Sequence, residues 1–114
     1  MKILQSTENL TMADRYNLTR NPLTERMSDH VGEEIEVKKY MVREEERADT
    51  EELVRIVSIY DGNTVYSTNS ATFVREFEGI LLMAKESSAE IHRIKVANGT
   101  SKKGREYITC IFID

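Results

Sequence analysis

The sequence predicts a mainly β domain with one helix and five strands in the order β-β-β-α-β-β. Three observations predict it. Apolar residues alternate with a period of two over several short stretches, a single long stretch at 70–86 has helical spacing, and the length of 114 residues suits one domain.

Residues 1–20 are polar and hold neither period, so they read as a mobile arm, and 1–30 as a segment outside a domain at 31–114. Asn21 before Pro22 offers an N-cap and a first-turn proline, and Leu23 and Met27 lie four apart. A short helix to about His30, stopped by Gly32, is expected. Ile35 and Val37 then fall on one phase of a strand and Tyr40 and Val42 on the other, which places a bulge at Lys38-Lys39. The acidic run 44–52 reads as a solvated loop and 53–60 as a second strand. Asp61-Gly62-Asn63 is a turn signal that joins it to a third strand at 64–68 in a hairpin. Asn69 or Ser70 caps the helix, whose residues Phe73, Phe77, Ile80, Leu81 and Ala84 share one face able to plug the end of a sheet. An exit loop at 85–89, a fourth strand at 91–97, a basic loop at 98–104 and a fifth strand at 105–113 complete the chain.

A helix between the third and fourth of five strands is the order of the oligonucleotide-binding (OB) barrel. A bulge is what lets its first strand serve both halves. The expectation is therefore an OB-fold-like barrel of five strands, closed or nearly so, with a partly flexible N-terminal arm.

Sixteen basic residues against twenty acidic ones, a net charge of -4, argue against binding duplex DNA through bulk positive charge. The charge is uneven. Residues 33–52 hold nine acidic against four basic side chains, whereas 90–106 hold Arg93, Lys95, Lys102, Lys103 and Arg105 against two glutamates, so an anionic ligand should approach the C-terminal third. No run nears the roughly 20 apolar residues that span a bilayer, and the start Met1-Lys2-Ile3-Leu4-Gln5-Ser6 lacks a signal-peptide apolar region. A soluble protein of a reducing cytoplasm, with no membrane partner, is expected. Cys110, the one cysteine, sits in the apolar run 107–113 and reads as a buried thiol.

Catalysis finds little support. A hydrolytic triad would have to use His30, His92 or Cys110, and the cysteine lies in a core strand. One cysteine and two distant histidines give no zinc spacing, and Glu44-Glu45-Glu46 lacks the pattern of a calcium loop. The five glycines are scattered singly, so no phosphate or dinucleotide fingerprint occurs. No catalytic residue, metal or cofactor is assigned.

Aromatic and basic side chains on strands remain, the combination on which bases stack while the backbone follows positive charge. With a three-residue hairpin loop, Tyr60 stands opposite Thr64, Ile59 opposite Val65 and Ser58 opposite Tyr66. Tyr60 and Tyr66 then share the outer face, and Arg55 turns toward the core side. In the fourth strand, Ile94 and Val96 inward leave Arg93 and Lys95 outward; in the fifth, Ile108, Cys110 and Phe112 inward leave Tyr107 and Thr109 outward. Candidate nucleic-acid contacts are Tyr60, Tyr66, Arg93, Lys95, Lys102, Lys103, Arg105 and Tyr107.

Three stretches carry a family resemblance. They are Val31-Gly32 leading into Ile35-Glu36-Val37, then Val65-Tyr66-Ser67-Thr68-Asn69-Ser70-Ala71-Thr72-Phe73-Val74-Arg75-Glu76-Phe77, and Gly99-Thr100-Ser101-Lys102-Lys103-Gly104-Arg105-Glu106-Tyr107-Ile108-Thr109-Cys110. Over about residues 27–114 the sequence resembles the single-stranded-DNA-binding proteins of bacteriophages that infect Gram-positive bacteria. The resemblance implies an OB-like fold, sequence-tolerant binding of single-stranded DNA and a role in phage replication or recombination in the host cytoplasm. It also implies Lys102, Lys103, Arg105 and Tyr107 as contacts. Protein partners of such a role are replication or recombination proteins and further copies of the chain. A competing expectation is a protein-interaction module, such as an inhibitor of a host enzyme, whose acidic residues 44–52 imitate DNA.

Overall fold

In the computed structural model, which describes residues 1–114, the N-terminal residues are folded onto the rest of the chain. β1 (Lys2–Ser6) pairs antiparallel with β4 (Lys39–Glu46) through a bulge between Ile3 and Gln5, and Leu4 packs on the core. α1 (Met12–Thr19) follows, started by a capping box. Thr11 Oγ1 accepts the Asp14 N–H at 3.1 Å and the Asp14 carboxylate accepts the Thr11 N–H at 2.9 Å. The expected mobile arm is thus corrected to a strand and a helix. The helix is short and buries Leu18 alone, so its apolar period carries no signal.

The helix expected from Asn21 to His30 is likewise replaced. Asn21 Oδ1 accepts the Leu23 N–H and the Asn21 carbonyl accepts the Thr24 N–H, which closes a turn instead. β2 (Glu25–Arg26) then runs parallel to β6 (Val65–Thr68), and Met27–His30 form one 3₁₀ turn that buries Met27.

The phase change at Lys38-Lys39 marks a change of sheet. β3 (Glu34–Glu36) belongs to a three-stranded sheet with β7 (Arg93–Thr100) and β8 (Glu106–Ile113), in the order β3-β7-β8. Past Val37 and Lys38 the chain enters β4, in a five-stranded sheet ordered β1-β4-β5-β6-β2, where β5 is Leu53–Tyr60. The fold is mainly β, with two helices and two sheets, and not the expected single-helix, five-stranded closed barrel. Closure fails at β6, whose free edge pairs with β2 and not with β8. At that gap Ser70 Oγ donates to the Ile108 carbonyl at 3.3 Å, so Ser70 precedes α2 (Ala71–Glu86) without capping it through its side chain. Glu44, Glu45 and Glu46, expected in a loop, extend β4 opposite Arg55, Val54 and Leu53.

The helical stripe behaves as its spacing requires. Phe73, Val74, Phe77 and Leu81 are buried against Val42, Val57, Ile59, Ile94, Val96, Ile108 and Cys110, with Ile80 partly covered at the edge. The Phe77 ring meets Tyr40 edge-on at 5.7 Å. Burial pushes the Cys110 thiol up to about 12, and the nearby Glu76 charge adds to the shift. Leu18 of α1, Met41 and Val65 are also buried but stand apart from this cluster, on the opposite face of the large sheet, where α1 packs on β4 and β5. Arg43, 5% exposed, pins that layer: Nη1 donates to the Leu18 carbonyl at 2.9 Å and to Ser58 Oγ at 2.8 Å, and Nε to Glu45 Oε1 at 3.1 Å. No helix is long and apolar enough to cross a membrane.

Candidate nucleic-acid interface

Directly opposed residues of an antiparallel pair share a face, so the ladder between β7 and β8 sorts their side chains. Ile94, Val96, Ile108 and Cys110 are buried inward. The outer face therefore carries Arg93, Lys95, Ala97 and Gly99 on β7 and Tyr107, Thr109, Ile111 and Ile113 on β8. Period-two reading of the sequence places Arg93, Lys95, Tyr107 and Thr109 there, and the same period extends to Ile111, which stands opposite Lys95. Tyr107 and Ile111 are 37% and 45% exposed, an apolar and aromatic surface beside cations.

β3 adds Glu34 opposite Lys95 and Glu36 opposite Arg93 on the same face. Arg93 Nη1 lies 3.4 Å from Glu34 Oε1, and Lys38 Nζ 3.5 Å from Glu36 Oε2, so the β3 side is largely neutralised. Positive charge survives at the other end. Lys95, Lys102, Lys103 and Arg105 have no carboxylate within 4.0 Å, and the last three are exposed.

The loop that carries Lys102, Lys103 and Arg105 is a defined turn. The Ser101 N–H donates to the Arg105 carbonyl at 2.8 Å, the Gly104 N–H to the Ser101 carbonyl at 2.9 Å, and the Arg105 N–H to Ser101 Oγ at 3.1 Å. Gly104 takes φ +80°, which few other residues tolerate. The turn holds its cations beyond the end of the sheet, next to the β7–β8 pair of Gly99 and Tyr107.

Tyr60 and Tyr66 are elsewhere, and not on one face. The hairpin register is one residue displaced from the expected one, pairing Tyr60 with Val65, Ile59 with Tyr66 and Ser58 with Ser67. The slip sends the two tyrosines to opposite sides of the large sheet. Tyr60 lies on the α1 side, where its hydroxyl donates to the Gly62 carbonyl at 2.9 Å. Tyr66 packs against the main core, its hydroxyl donating to Asp61 Oδ2 at 3.3 Å and its ring meeting His30 edge-on at 4.8 Å. Burial and the Asp61 charge hold the Tyr66 phenol above its ordinary range. Arg55 does face the core side, at its rim, where it bonds Glu78 of α2 at 3.0 Å.

The sequence reading also passed over the surroundings of His30. Its Nε2 lies 2.6 Å from Glu25 Oε1 and its Nδ1 2.9 Å from Glu33 Oε2. Burial works to lower its pKa, but the hydrogen bonds and charges of the two carboxylates outweigh it and the pKa is raised.

Comparison with protein-family models, with curated proteins and with solved structures gave no match. The functional reading rests on the residues of the β7–β8 face and its loop.

Proposed function

We propose that this chain is a non-enzymatic, sequence-tolerant single-stranded-DNA-binding protein that acts in phage DNA replication or recombination in the host cytoplasm, as the resemblance noted above implies. The observation that carries the reading is the outer β7–β8 face, where Tyr107 adjoins the turn of the unpaired cations Lys102, Lys103 and Arg105, and Lys95 lies two residue pairs further along the same face. Stacking surface next to a run of unneutralised charge is the means by which single strands are held without reading their sequence. An OB-like ancestry is supported by the connectivity β3/β4, β5, β6, α2, β7, β8 and by the division of the first strand between two sheets.

OB-type binders lay oligonucleotides across strands two and three and between the loops at either side. Here strands two and three correspond to β5 and β6, and the outer face of β5 is packed under α1, where Arg43 of β4 bonds both Ser58 and the Leu18 carbonyl. The DNA path is therefore assigned to β7, β8 and their loop, with Arg93, Lys95, Lys102, Lys103, Arg105 and Tyr107 as its contacts. Tyr60 and Tyr66 are assigned to holding the hairpin tip.

Binding of labelled oligo(dT) measured across a salt series tests the reading. Each phosphate contact on a single strand contributes a log–log salt slope of about 0.7, so the Lys102→Ala, Lys103→Ala double variant should flatten the slope by roughly 1 to 1.5. Its loss of affinity should be alike for all base compositions, since phosphate contacts carry no sequence. Absence of any binding at low salt would refute the proposal and favour the acidic-decoy reading of residues 44–52.

A further inference from the structure

We infer that Gly99 and Tyr107 form a stacking platform for one unpaired nucleobase, with Gly99 as the residue that positions the ring. The inference rests on the single-strand-binding reading and names what part of that site takes a base.

Gly99 lies inside β7, directly opposite Tyr107 of β8. A glycine there weakens a strand, and nothing in the backbone calls for one. The register between β7 and β8 runs without a shift from Arg93 to Thr100, and Gly99 is not among the glycines of positive φ, which are Gly32, Gly62 and Gly104. The reason lies across the ladder. A Cβ at residue 99 would fall 2.5 Å from the Tyr107 hydroxyl oxygen, 2.6 Å from Cζ and 2.9 Å from Cε2. The outer end of the phenol thus occupies the space a side chain at 99 would fill. The ring is folded across β7, and does not stand up from β8.

A ring held this way turns one face to the backbone and leaves the other to solvent, consistent with its 37% exposure. That open π-face offers no hydrogen-bond donor toward a stacked base, so it suits any of the four. Lys95 is two residue pairs along the same face, and Lys102, Lys103 and Arg105 follow in the adjoining turn, so phosphates on either side of a stacked base meet positive charge.

The test uses the full chain and a fluorescein-labelled oligo(dT) of about 16 nucleotides, the upper site size of a single OB-type domain. In Gly99→Ala the new methyl displaces the ring, which swings into solvent, while every charge and the phenol itself remain. Affinity should fall roughly 5- to 150-fold, the worth of one base–aromatic stack, and Tyr107→Ala should fall equally. The double variant should be no weaker than either single one, the salt slope should be the parent's, and Tyr107→Phe, which keeps the ring, should keep the parent's affinity. Ring placement is read without DNA from the Gly99 Hα resonances, which the Tyr107 ring current should shift upfield in the parent and release in Tyr107→Ala.

Parent-like affinity in Gly99→Ala, additive losses in the double variant, or unshifted Hα resonances would overturn the platform while leaving the DNA-binding reading in place. A parent that binds no oligonucleotide at low salt would overturn both, with the Hα shift then marking a purely structural pair. A purely structural pair also predicts a lower thermal midpoint in Tyr107→Ala with affinity retained.

Discussion

Arg43→Ala tests whether the N-terminal residues are part of the fold. Arg43 is 5% exposed and reaches three acceptors, two of which lie in the layer between β4–β5 and α1. Truncation leaves the Leu18 carbonyl, at the buried end of α1, without its donor, a loss of about 1–3 kcal/mol for an orphaned buried group. Ser58 Oγ suffers less, because Ser67 Oγ stays 3.1 Å away. Glu45, with 38% of its side chain exposed, regains water. The buried guanidinium stem leaves a further gap in packing. A total near 3 kcal/mol follows, a large share of the roughly 5–15 kcal/mol that holds a domain of this size together. Urea unfolding followed by circular dichroism should show the midpoint falling by at least about 1 M at an ordinary m-value of roughly 1–3 kcal/mol/M. Hydrogen exchange should show the α1 amides losing protection before those of β5. A loss below about 1 kcal/mol with α1 protection unchanged would mean that α1 is held by other contacts and that Arg43 is not its anchor.

Phe77 is fully buried between Phe73, Tyr40 and the two sheets, so Phe77→Ala should cost about 3–5 kcal/mol in the same unfolding experiment; a cost near 1 kcal/mol would place α2 loosely on the sheets. His30 has a pKa raised above its ordinary 6.5 by Glu25 and Glu33, so its stabilising effect is complete below that value and is lost as pH climbs through the higher folded-state value. The thermal midpoint of the parent should therefore fall relative to that of His30→Gln as pH rises above about 6.5, and parallel curves would show that the two carboxylates do not hold a proton there.

The elements legible in the sequence are those whose signal is local. Residues 73–84 repeat at helical spacing, and Ile94, Val96, Ile108 and Cys110 alternate with polar neighbours, so α2, β7, β8 and the outward direction of Arg93, Lys95 and Tyr107 are readable without a structure. The phase change at Lys38-Lys39 was readable as well, but where a bulge within one strand was expected the chain breaks into β3 and β4 of different sheets. The Thr11–Asp14 capping box was visible too, but a start signal does not say that a helix docks.

Register and closure were decided at longer range. The Asp61 carboxylate accepts N–H groups from both Asn63 and Thr64, at 2.8 and 2.7 Å, and so draws Thr64 out of β6 into the loop. That single residue moved Tyr66 from the outer face to the core. β2 took the edge of β6 that a closed barrel would have given to β8, and Arg43 tied α1 over the face expected to be open. The place of Gly99 beneath Tyr107 likewise needs the β7–β8 register, since nothing in the local sequence says which residue a ring will fold across. A periodic pattern constrains which side of an element is buried, whereas these choices depend on which distant group satisfies a particular donor, acceptor or strand edge, and only the assembled chain brings those groups together.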